Sequence, residues 1–263
     1  MEKEERCLHD ILGGLESVLV AFSGGVDSTF LLSVAHEMLG DHVLAVTASS
    51  PVHPRRELSQ ARRLAKRLGV RHHVIRSREL DDHRFLRNEP RRCYHCKRGL
   101  FTLLLGIAQK EGLAAVVDGS NRDDLDDYRP GAEALRELGI RSPLQEAGMT
   151  KEQIRRLSRQ RGLSTWDHPA QACLASRIPY GTELTRDDLE MVERAEEALH
   201  RLGYDRVRVR HHGAMARIEV DGEDLERLLA DRRQVVPALK KAGYLYVALD
   251  LEGYRRGSLN EAL

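Results

Sequence analysis

Ser17-Val18-Leu19-Val20-Ala21-Phe22-Ser23-Gly24-Gly25-Val26-Asp27-Ser28 is the stretch that decides the fold of this chain. Its first six residues are mostly apolar and include β-branched side chains, which predicts a buried strand of a parallel sheet. Apolar residues at helical spacing over 27–39 predict that a helix follows. The two adjacent glycines permit backbone torsions and close approaches that a Cβ would forbid. The stretch therefore predicts a glycine-rich loop that joins a strand to a helix.

This loop is predicted to bind phosphate. Ser23, Ser28 and Thr29 place hydroxyl groups at the N-terminus of the predicted helix, where unpaired N–H groups and the helix dipole favour an anion. The string resembles the SGGxDS signature of the PP-loop ATP pyrophosphatases, which cleave ATP between the α and β phosphates and transfer AMP. The resemblance implies that Asp27 helps to hold Mg²⁺. The residues expected to bind ATP in this loop are Ser23, Gly24, Gly25, Asp27, Ser28 and Thr29.

Length and composition limit the class of protein. The chain has 263 residues, 41% of them hydrophobic, which is enough for one large domain and a smaller one. Its 42 basic and 41 acidic residues give a net charge of +1, so we expect no nucleic-acid partner. No apolar run approaches the roughly 18 residues of a membrane span, and the first ten residues are charged. We therefore expect a cytoplasmic protein that does not contact a membrane.

Strand and helix patterns alternate over the first part of the chain. This alternation predicts an α/β fold with a doubly wound parallel sheet, whose ligands bind at the carboxyl ends of the strands. After the first strand, the predicted strands are 42–48, 70–76 and 114–118, and the predicted helices are 2–15, 54–68, 96–111 and 150–160. The later part has a long charged helix at 186–202 and strands at 206–210, 216–220 and 245–249. We predict a PP-loop domain at 1–180 and a second, smaller α+β domain at 181–263.

The cysteines form a second group of candidate residues. Cys93 and Cys96 have the spacing of a metal-ligand pair, and Cys173 lies far along the chain. Disulfides are rare in cytosolic proteins. The spacing alone leaves three alternatives open, namely a zinc site completed by a histidine, a [4Fe–4S] cluster with one open iron, and ordinary thiols. Cys7 has no partner spacing and is assigned to packing.

Six motifs extend over nearly the whole chain. They are SGGVDST at 23–29, CYHCK at 93–97, DGSN at 118–121 with DD at 123–124, YRPG at 128–131, CLASRIPYG at 173–181 and GYRRGSLN at 253–260. Together they resemble the LarE family, the ATP-dependent sulfur transferases of nickel-pincer nucleotide cofactor synthesis. The last two motifs are much more specific than the glycine-rich loop.

The resemblance implies a small-molecule substrate similar to pyridinium-3,5-biscarboxylic acid mononucleotide. ATP adenylates one carboxylate, and a sulfur nucleophile then expels AMP. In a sacrificial version Cys173 gives up its own sulfur and becomes dehydroalanine. In the other version, a [4Fe–4S] cluster on Cys93, Cys96 and Cys173 carries a sulfide, and the enzyme turns over repeatedly. The three cysteines match the second version, with sulfide or another sulfur donor as partner, and the family suggests a homo-oligomer, a hexamer.

Arginines are predicted to handle the substrate's charges. Arg177 follows Cys173 closely enough to meet a carboxylate held near that sulfur, so we expect it to act in both catalysis and substrate binding. Arg208 and Arg210 alternate on a predicted strand and point to one face. The resemblance implies that this pair, with Glu196 on the preceding helix, binds the substrate phosphate. The alternative is a solvated strand face.

Asn121 and Asp124 follow a predicted strand at the ligand-binding edge. We expect them to bind ATP, metal or substrate, and the alternative is that they cap the start of a helix. Three other functions remain open. A PP-loop tRNA thiolase would need an RNA-binding surface, an amidating ligase would leave Cys173 without a task, and a non-enzymatic nucleotide-binding protein would release no pyrophosphate.

Overall fold

The structure is a computed structural model that describes residues 2–125, 129–169, 172–255 and 258–259. The strands are β1 (Val18–Ala21), β2 (Val43–Ser49), β3 (Arg71–Arg76), β4 (Ala115–Val117), β5 (Val207–His212), β6 (Met215–Val220) and β7 (Tyr246–Leu249). The helices are α1 (Lys3–Gly13), α2 (Val26–Leu39), α3 (Arg55–Leu68), α4 (His83–Leu86), α5 (Arg92–Lys110), α6 (Pro130–Glu137), α7 (Pro143–Glu146), α8 (Lys151–Gln160), α9 (Arg186–Arg201), α10 (Leu225–Ala230) and α11 (Arg232–Ala242). Every helix within the described ranges is too short or too polar to cross a membrane.

The first sheet has the order β3-β2-β1-β4, and all of its neighbouring strands are parallel. Val18 and Val20 pack into one hydrophobic cluster, whereas Leu19 packs into a second, so helices cover both faces of the sheet. This arrangement confirms the predicted doubly wound α/β fold. Because β2 and β4 lie on opposite sides of β1, the loops that follow β1 and β4 begin where the strand order reverses, which is the ligand-binding edge of such folds.

The second sheet has the order β5-β6-β7 and is mixed. β5 and β6 are antiparallel, whereas β6 and β7 are parallel. Val207, Val209 and Ile218 belong to a separate hydrophobic cluster, which also contains Leu199 of α9 and Leu239 of α11. The predicted smaller α+β fold is confirmed. Side chains alternate along a strand, so Arg208 and Arg210 face away from that cluster.

By its contacts, the chain divides into two compact units. The first unit is Met1–Glu79 with Cys93–Gln171, and the second is Leu80–Arg92 with Ala172–Leu263. In the second unit, Asn88 Nδ2 donates a hydrogen bond to the Pro179 carbonyl at 2.8 Å, and Gly181 N donates to the Asn88 carbonyl at 3.1 Å. A segment from the middle of the sequence is therefore part of the C-terminal unit. The sequence-based boundary between residues 180 and 181 stays a prediction.

The largest difference between a predicted and an observed element boundary is at the start of α5. The helix predicted over 96–111 begins at Arg92 and ends at Lys110. Pro90 lies just ahead of its first turn, where the missing N–H of a proline breaks no helical hydrogen bond. As a result, both Cys93 and Cys96 lie inside α5.

Candidate active site

The loop between β1 and α2 is closed by its own hydroxyl groups. Ser23 Oγ lies 3.1 Å from Ser28 Oγ and accepts a hydrogen bond from Gly25 N at 3.2 Å. Gly25 precedes α2, and none of the described side chains caps the helix there. A helix N-terminus without a side-chain cap attracts an anion through its first N–H groups and its dipole. This geometry suits the predicted binding of phosphate, which stays a prediction for each residue of the loop.

Gly24 fixes the position of this loop against α3. Its φ of +78° lies in the left-handed region, and a Cβ added to it would come within 3.2 Å of Cα and Cβ of Ala61. The Gly24 carbonyl accepts a hydrogen bond from Gln60 Nε2 at 3.3 Å. Only glycine combines this torsion with so close an approach, so the second residue of the motif is required by geometry.

The two carboxylate oxygens of Asp27 have different surroundings. Oδ2 pairs with Nζ of Lys151, the first residue of α8. Oδ1 is buried and has no hydrogen-bond partner among the described residues. A buried carboxylate oxygen is costly unless a donor or a cation contacts it, and such oxygens are the ligands that Mg²⁺ prefers. Asp27 therefore fits the role toward Mg²⁺ that the sequence predicts for it.

The loop after β4 packs beside the phosphate loop. A Cβ on Gly119 would lie 3.0 Å from the backbone nitrogen of Ser28, so the backbone of this loop touches the start of α2. Asp118 is only 4% exposed and accepts hydrogen bonds from the hydroxyls of Ser120 and Ser142, both at 2.7 Å. These contacts bring the ends of β1 and β4 together at the point where the strand order reverses.

Asn121 and Asp124 are engaged in local hydrogen bonds. Asn121 Oδ1 accepts from Asp123 N at 2.9 Å, and Asp124 Oδ2 accepts from Asn121 N at 3.0 Å. The other carboxylate oxygen of Asp124 pairs with Arg129 at 2.8 Å. These contacts suit the capping alternative for both residues. Their binding of ATP, metal or substrate stays a prediction.

Cys93 and Cys96 lie three positions apart near the start of α5, which places them on one face of the helix. Both are free of disulfides; Cys93 is exposed and Cys96 is partly buried. The next residue, Lys97, has its Nζ 3.8 Å from Oδ2 of Asp118. The two thiols suit two positions of a metal or cluster site. Within the described ranges, no three His, Cys, Asp or Glu side chains form a metal-binding group, so convergence with a third cysteine stays a prediction.

Cys173 belongs to the second unit and precedes a short 3₁₀ turn, Leu174–Arg177. Arg177 is 2% exposed and forms a bidentate pair with Glu196 of α9, with Nε–Oε1 and Nη2–Oε2 distances of 2.9 and 3.0 Å. Burial by itself raises the pKa of Glu196, but the charge and hydrogen bonds of Arg177, the charge of Arg208 and the hydrogen bond from Val209 N together bring that pKa below its usual value. The structure thus places Arg177 and Glu196 together. Their contact with substrate stays a prediction.

Arg208 and Arg210 alternate along β5 on the side away from the hydrophobic cluster. The guanidinium carbon of Arg208 lies 5.4 Å from the centre of the Tyr254 ring. Burial, followed by the charge of Arg177, lowers the pKa of Arg208. Arg210 is 7% exposed and forms a bidentate pair with Glu219 of β6 at 2.8 and 2.7 Å. Neither contact tests the predicted phosphate binding.

Two charged residues of these sites were not found from the sequence. Lys151 follows the N-cap of a helix and gives no local sign that it reaches Asp27. Glu219 was detectable in principle, because Gly213 separates the two predicted strands and suggests a hairpin. In the observed register, Arg208 lies opposite Glu219. Pairing the residues of the two strands outward from Gly213 would have placed Glu219 beside the two arginines of β5.

Comparison with known proteins finds similar sequences over part of the chain and over nearly all of it. Residues 7–98 match the family described as asparagine synthase. The whole chain is 43% identical to an uncharacterized protein of Synechocystis, 99% of which is covered. It is also 41% identical to the pyridinium-3,5-bisthiocarboxylic acid mononucleotide synthase of Lactiplantibacillus plantarum, over 96% of this chain and 92% of that enzyme. A tRNA-specific 2-thiouridylase of Rhodopseudomonas palustris is 31% identical, but over 59% of this chain and 48% of its own length.

Proposed function

The chain belongs to the LarE family of ATP-using sulfur transferases, and from this premise we propose that it converts a carboxylate of pyridinium-3,5-biscarboxylic acid mononucleotide into a thiocarboxylate. The observation that carries the proposal is the likeness to the Lactiplantibacillus plantarum synthase, which extends through both units and includes the loop after β1. The match to the tRNA thiouridylase covers little more than half of the chain, so it favours a shared nucleotide-binding fold over a shared substrate.

The first step is the adenylation of the substrate carboxylate. An oxygen of that carboxylate attacks the α-phosphorus of ATP, and the bond between the α-phosphorus and the bridging oxygen breaks to release pyrophosphate. The loop of Ser23 to Ser28 would hold the departing phosphates with its N–H and hydroxyl groups. Asp27 would hold Mg²⁺ through the oxygen that lacks a partner among the described residues.

The second step replaces AMP by sulfur. A sulfide forms a C–S bond with the acyl carbon, and the C–O bond to AMP breaks, with the electron pair leaving on the phosphate oxygen. We assign Cys93, Cys96 and Cys173 as the ligands of a [4Fe–4S] cluster, which would supply this sulfide. The spacing of Cys93 and Cys96 on one face of α5 supports the assignment. In the alternative, the Cys173 thiolate attacks the acyl carbon and AMP leaves, and loss of the Cα proton with cleavage of the Cβ–S bond then releases the thiocarboxylate and leaves dehydroalanine in the protein.

The second unit would bind the substrate mononucleotide. Arg208 lies on the polar face of β5 beside the ring of Tyr254, and an arginine there suits a phosphate group. Among the described residues, Arg210 and Arg217 on this side of the sheet pair with Glu219, and Arg217 also pairs with Asp250.

The experiment that tests this function measures two products from the same reaction. Purified protein is incubated anaerobically with ATP, Mg²⁺ and the dicarboxylate mononucleotide, with sulfide as donor. We expect pyrophosphate release that depends on the mononucleotide, together with a thiocarboxylate product identified by its mass. Two results would contradict the proposal. One is pyrophosphate release that requires tRNA as the substrate, and the other is pyrophosphate release with no sulfur in the mononucleotide product.

A further inference from the structure

Two buried arginines hold the turn after Cys173, namely Arg177, which is its last residue, and Arg210 of β5. Nη1 of Arg177 donates to the backbone carbonyls of Ala172 and Cys173, at 2.7 and 3.1 Å. Nη1 of Arg210, on β5, donates to the carbonyl of Ser176 at 2.7 Å. Three carbonyls that flank or belong to the turn therefore have a guanidinium donor.

Each arginine is itself fixed by a buried glutamate. Arg177 and Glu196 are 2% and 5% exposed, and Arg210 and Glu219 are 7% and 0% exposed. In both pairs the two carboxylate oxygens accept from Nε and Nη2 of the arginine. This fork geometry leaves Nη1 of each arginine to face the turn. Nη2 of Arg210 also donates to Ser258 Oγ at 2.9 Å.

These arginines have little freedom to act on a ligand directly. To contact a substrate with the groups used here, Arg177 or Arg210 would have to release backbone carbonyls of the turn and leave a buried glutamate without its counter-ion. The second change is the more unfavourable, because a buried charge needs a partner. Their hydrogen bonds point to a role in holding the backbone of Cys173.

We propose that Arg177 and Arg210 are positioning residues that set the geometry of the Cys173 turn, and that Glu196 and Glu219 orient them through the two ion pairs. The proposal rests on the proposed function in one respect, namely that Cys173 takes part in sulfur transfer. On this basis Arg208 provides the contact to substrate phosphate, whereas Arg210 acts through the turn.

The test uses Glu219→Gln and Arg210→Lys, with Glu197→Gln as the matched control. Glu197 is adjacent to Glu196, its side chain is 43% exposed, and it pairs with the solvent-exposed Arg201. Hydrogen–deuterium exchange of the amides of Ser176 and Ile178, which close the turn by donating to Cys173 and Ala175, reports its order directly. We expect exchange there to be about 10-fold faster or more in both variants and unchanged in the control. Iodoacetamide alkylation of Cys173, followed by mass spectrometry, is expected to change in parallel.

Activity supplies the second readout. Misplacing a reacting group by about 1 Å costs on the order of 100-fold in rate, so sulfur transfer per adenylate formed should fall by that order. Substrate-dependent pyrophosphate release and the Kd for the substrate should stay within about twofold. If Glu219→Gln does not fold, Arg210→Lys alone is used for the test, because it keeps the positive charge at position 210.

Two outcomes would overturn the proposal. One is unchanged exchange at Ser176 and Ile178 in the variants, and the other is a raised substrate Kd with an unaltered turn, which would make Arg210 a contact residue. A failure of the proposed function looks different. In that case the parent protein transfers no sulfur, while the variants still show faster exchange and altered alkylation of Cys173.

Discussion

At the scale of single residues, Asp27 allows the sharpest test of the nucleotide site. One carboxylate oxygen pairs with Lys151 and the other is buried without a partner among the described residues. Asp27→Asn preserves the shape but removes the charge that would hold Mg²⁺. We expect substrate-dependent pyrophosphate release to fall about 100-fold or more, with the melting temperature nearly unchanged. Asp41→Asn, at an exposed position, is the control, and a near-normal rate for Asp27→Asn would remove Asp27 from the mechanism.

Gly24 provides a second prediction at this scale. Gly24→Ala must tolerate a positive φ and a Cβ 3.2 Å from Ala61, whereas Gly112→Ala has a similar φ of +67° and no atom within 4 Å. Both variants should lose about 1 kcal/mol of unfolding free energy through backbone strain. Only Gly24→Ala should also weaken ATP binding, by about 10-fold, because it pushes the loop away from α3. Calorimetric titration with ATP decides this, and equal ATP affinities in the two variants would contradict it.

At the scale of elements, alternate side chains of strand β5 lie on a polar face and on a buried face. Arg208 lies on its polar face beside Tyr254. Charge-assisted contacts to phosphate are worth roughly 1.5 to 3 kcal/mol, so Arg208→Ala should weaken substrate binding about 10- to 150-fold and leave ATP affinity unchanged. Titration of each ligand separately measures this. Arg201→Ala, at an exposed site of α9, is the control, and equal substrate affinity in the Arg208 variant would favour the solvated-face alternative.

His211 lies on the opposite, buried face of the same strand, between Tyr244 and Asp188. Burial lowers the pKa of His211, although the Asp188 carboxylate acts to raise it. The unfolded chain therefore binds a proton on His211 more tightly than the folded protein does. The free energy of unfolding is highest above the ordinary histidine pKa of about 6.5, and it falls as the pH drops toward the pKa of the folded state. Urea unfolding at about pH 7.5 and about pH 5.5 should show this loss. His211→Gln should reduce this loss of stability, whereas His42→Gln, at an exposed position, should not. Equal pH dependence in the parent protein and the two variants would contradict the prediction.

At the scale of the whole molecule, the sulfur source distinguishes two chemistries. If Cys93, Cys96 and Cys173 hold one [4Fe–4S] cluster, each single Cys→Ala variant should lose iron, acid-labile sulfide and sulfur transfer. Adenylation should continue in all three variants, because it requires no thiol. Cys7→Ala is the control and should keep both iron and activity. A mass loss equal to H₂S at Cys173 after turnover, with the Cys93 and Cys96 variants still active, would instead establish the sacrificial chemistry.

Features that short stretches of the chain encode are predictable from the sequence. The strand, loop and helix around Gly24 follow from apolar periodicity and from adjacent glycines, and the structure confirms them as β1 and α2. The helix predicted from residue 96 begins at Arg92, so the metal-ligand spacing of Cys93 and Cys96 lies within a helical turn.

Contacts between distant segments were not predictable from local sequence. Lys151 reaches Asp27 because α8 packs near α2, and nothing in the local sequence of either residue indicates the pair. Arg177 was expected near the Cys173 sulfur from its spacing, but its bidentate pair with Glu196 depends on how α9 packs. Such pairs are set by tertiary packing, which a periodicity pattern does not encode.

The assignment of Leu80–Arg92 to the C-terminal unit also has a consequence for how the protein is made. During translation this segment leaves the ribosome long before Pro179 and Gly181, the residues that bind Asn88. The second unit therefore has to finish folding after synthesis has passed through nearly the whole chain, while the sheet of the first unit has all of its strands much earlier. For the same reason, a gene fragment that starts at residue 172 encodes only part of the second unit. Expressing that unit alone requires the 80–92 segment as well, which circular permutation could supply.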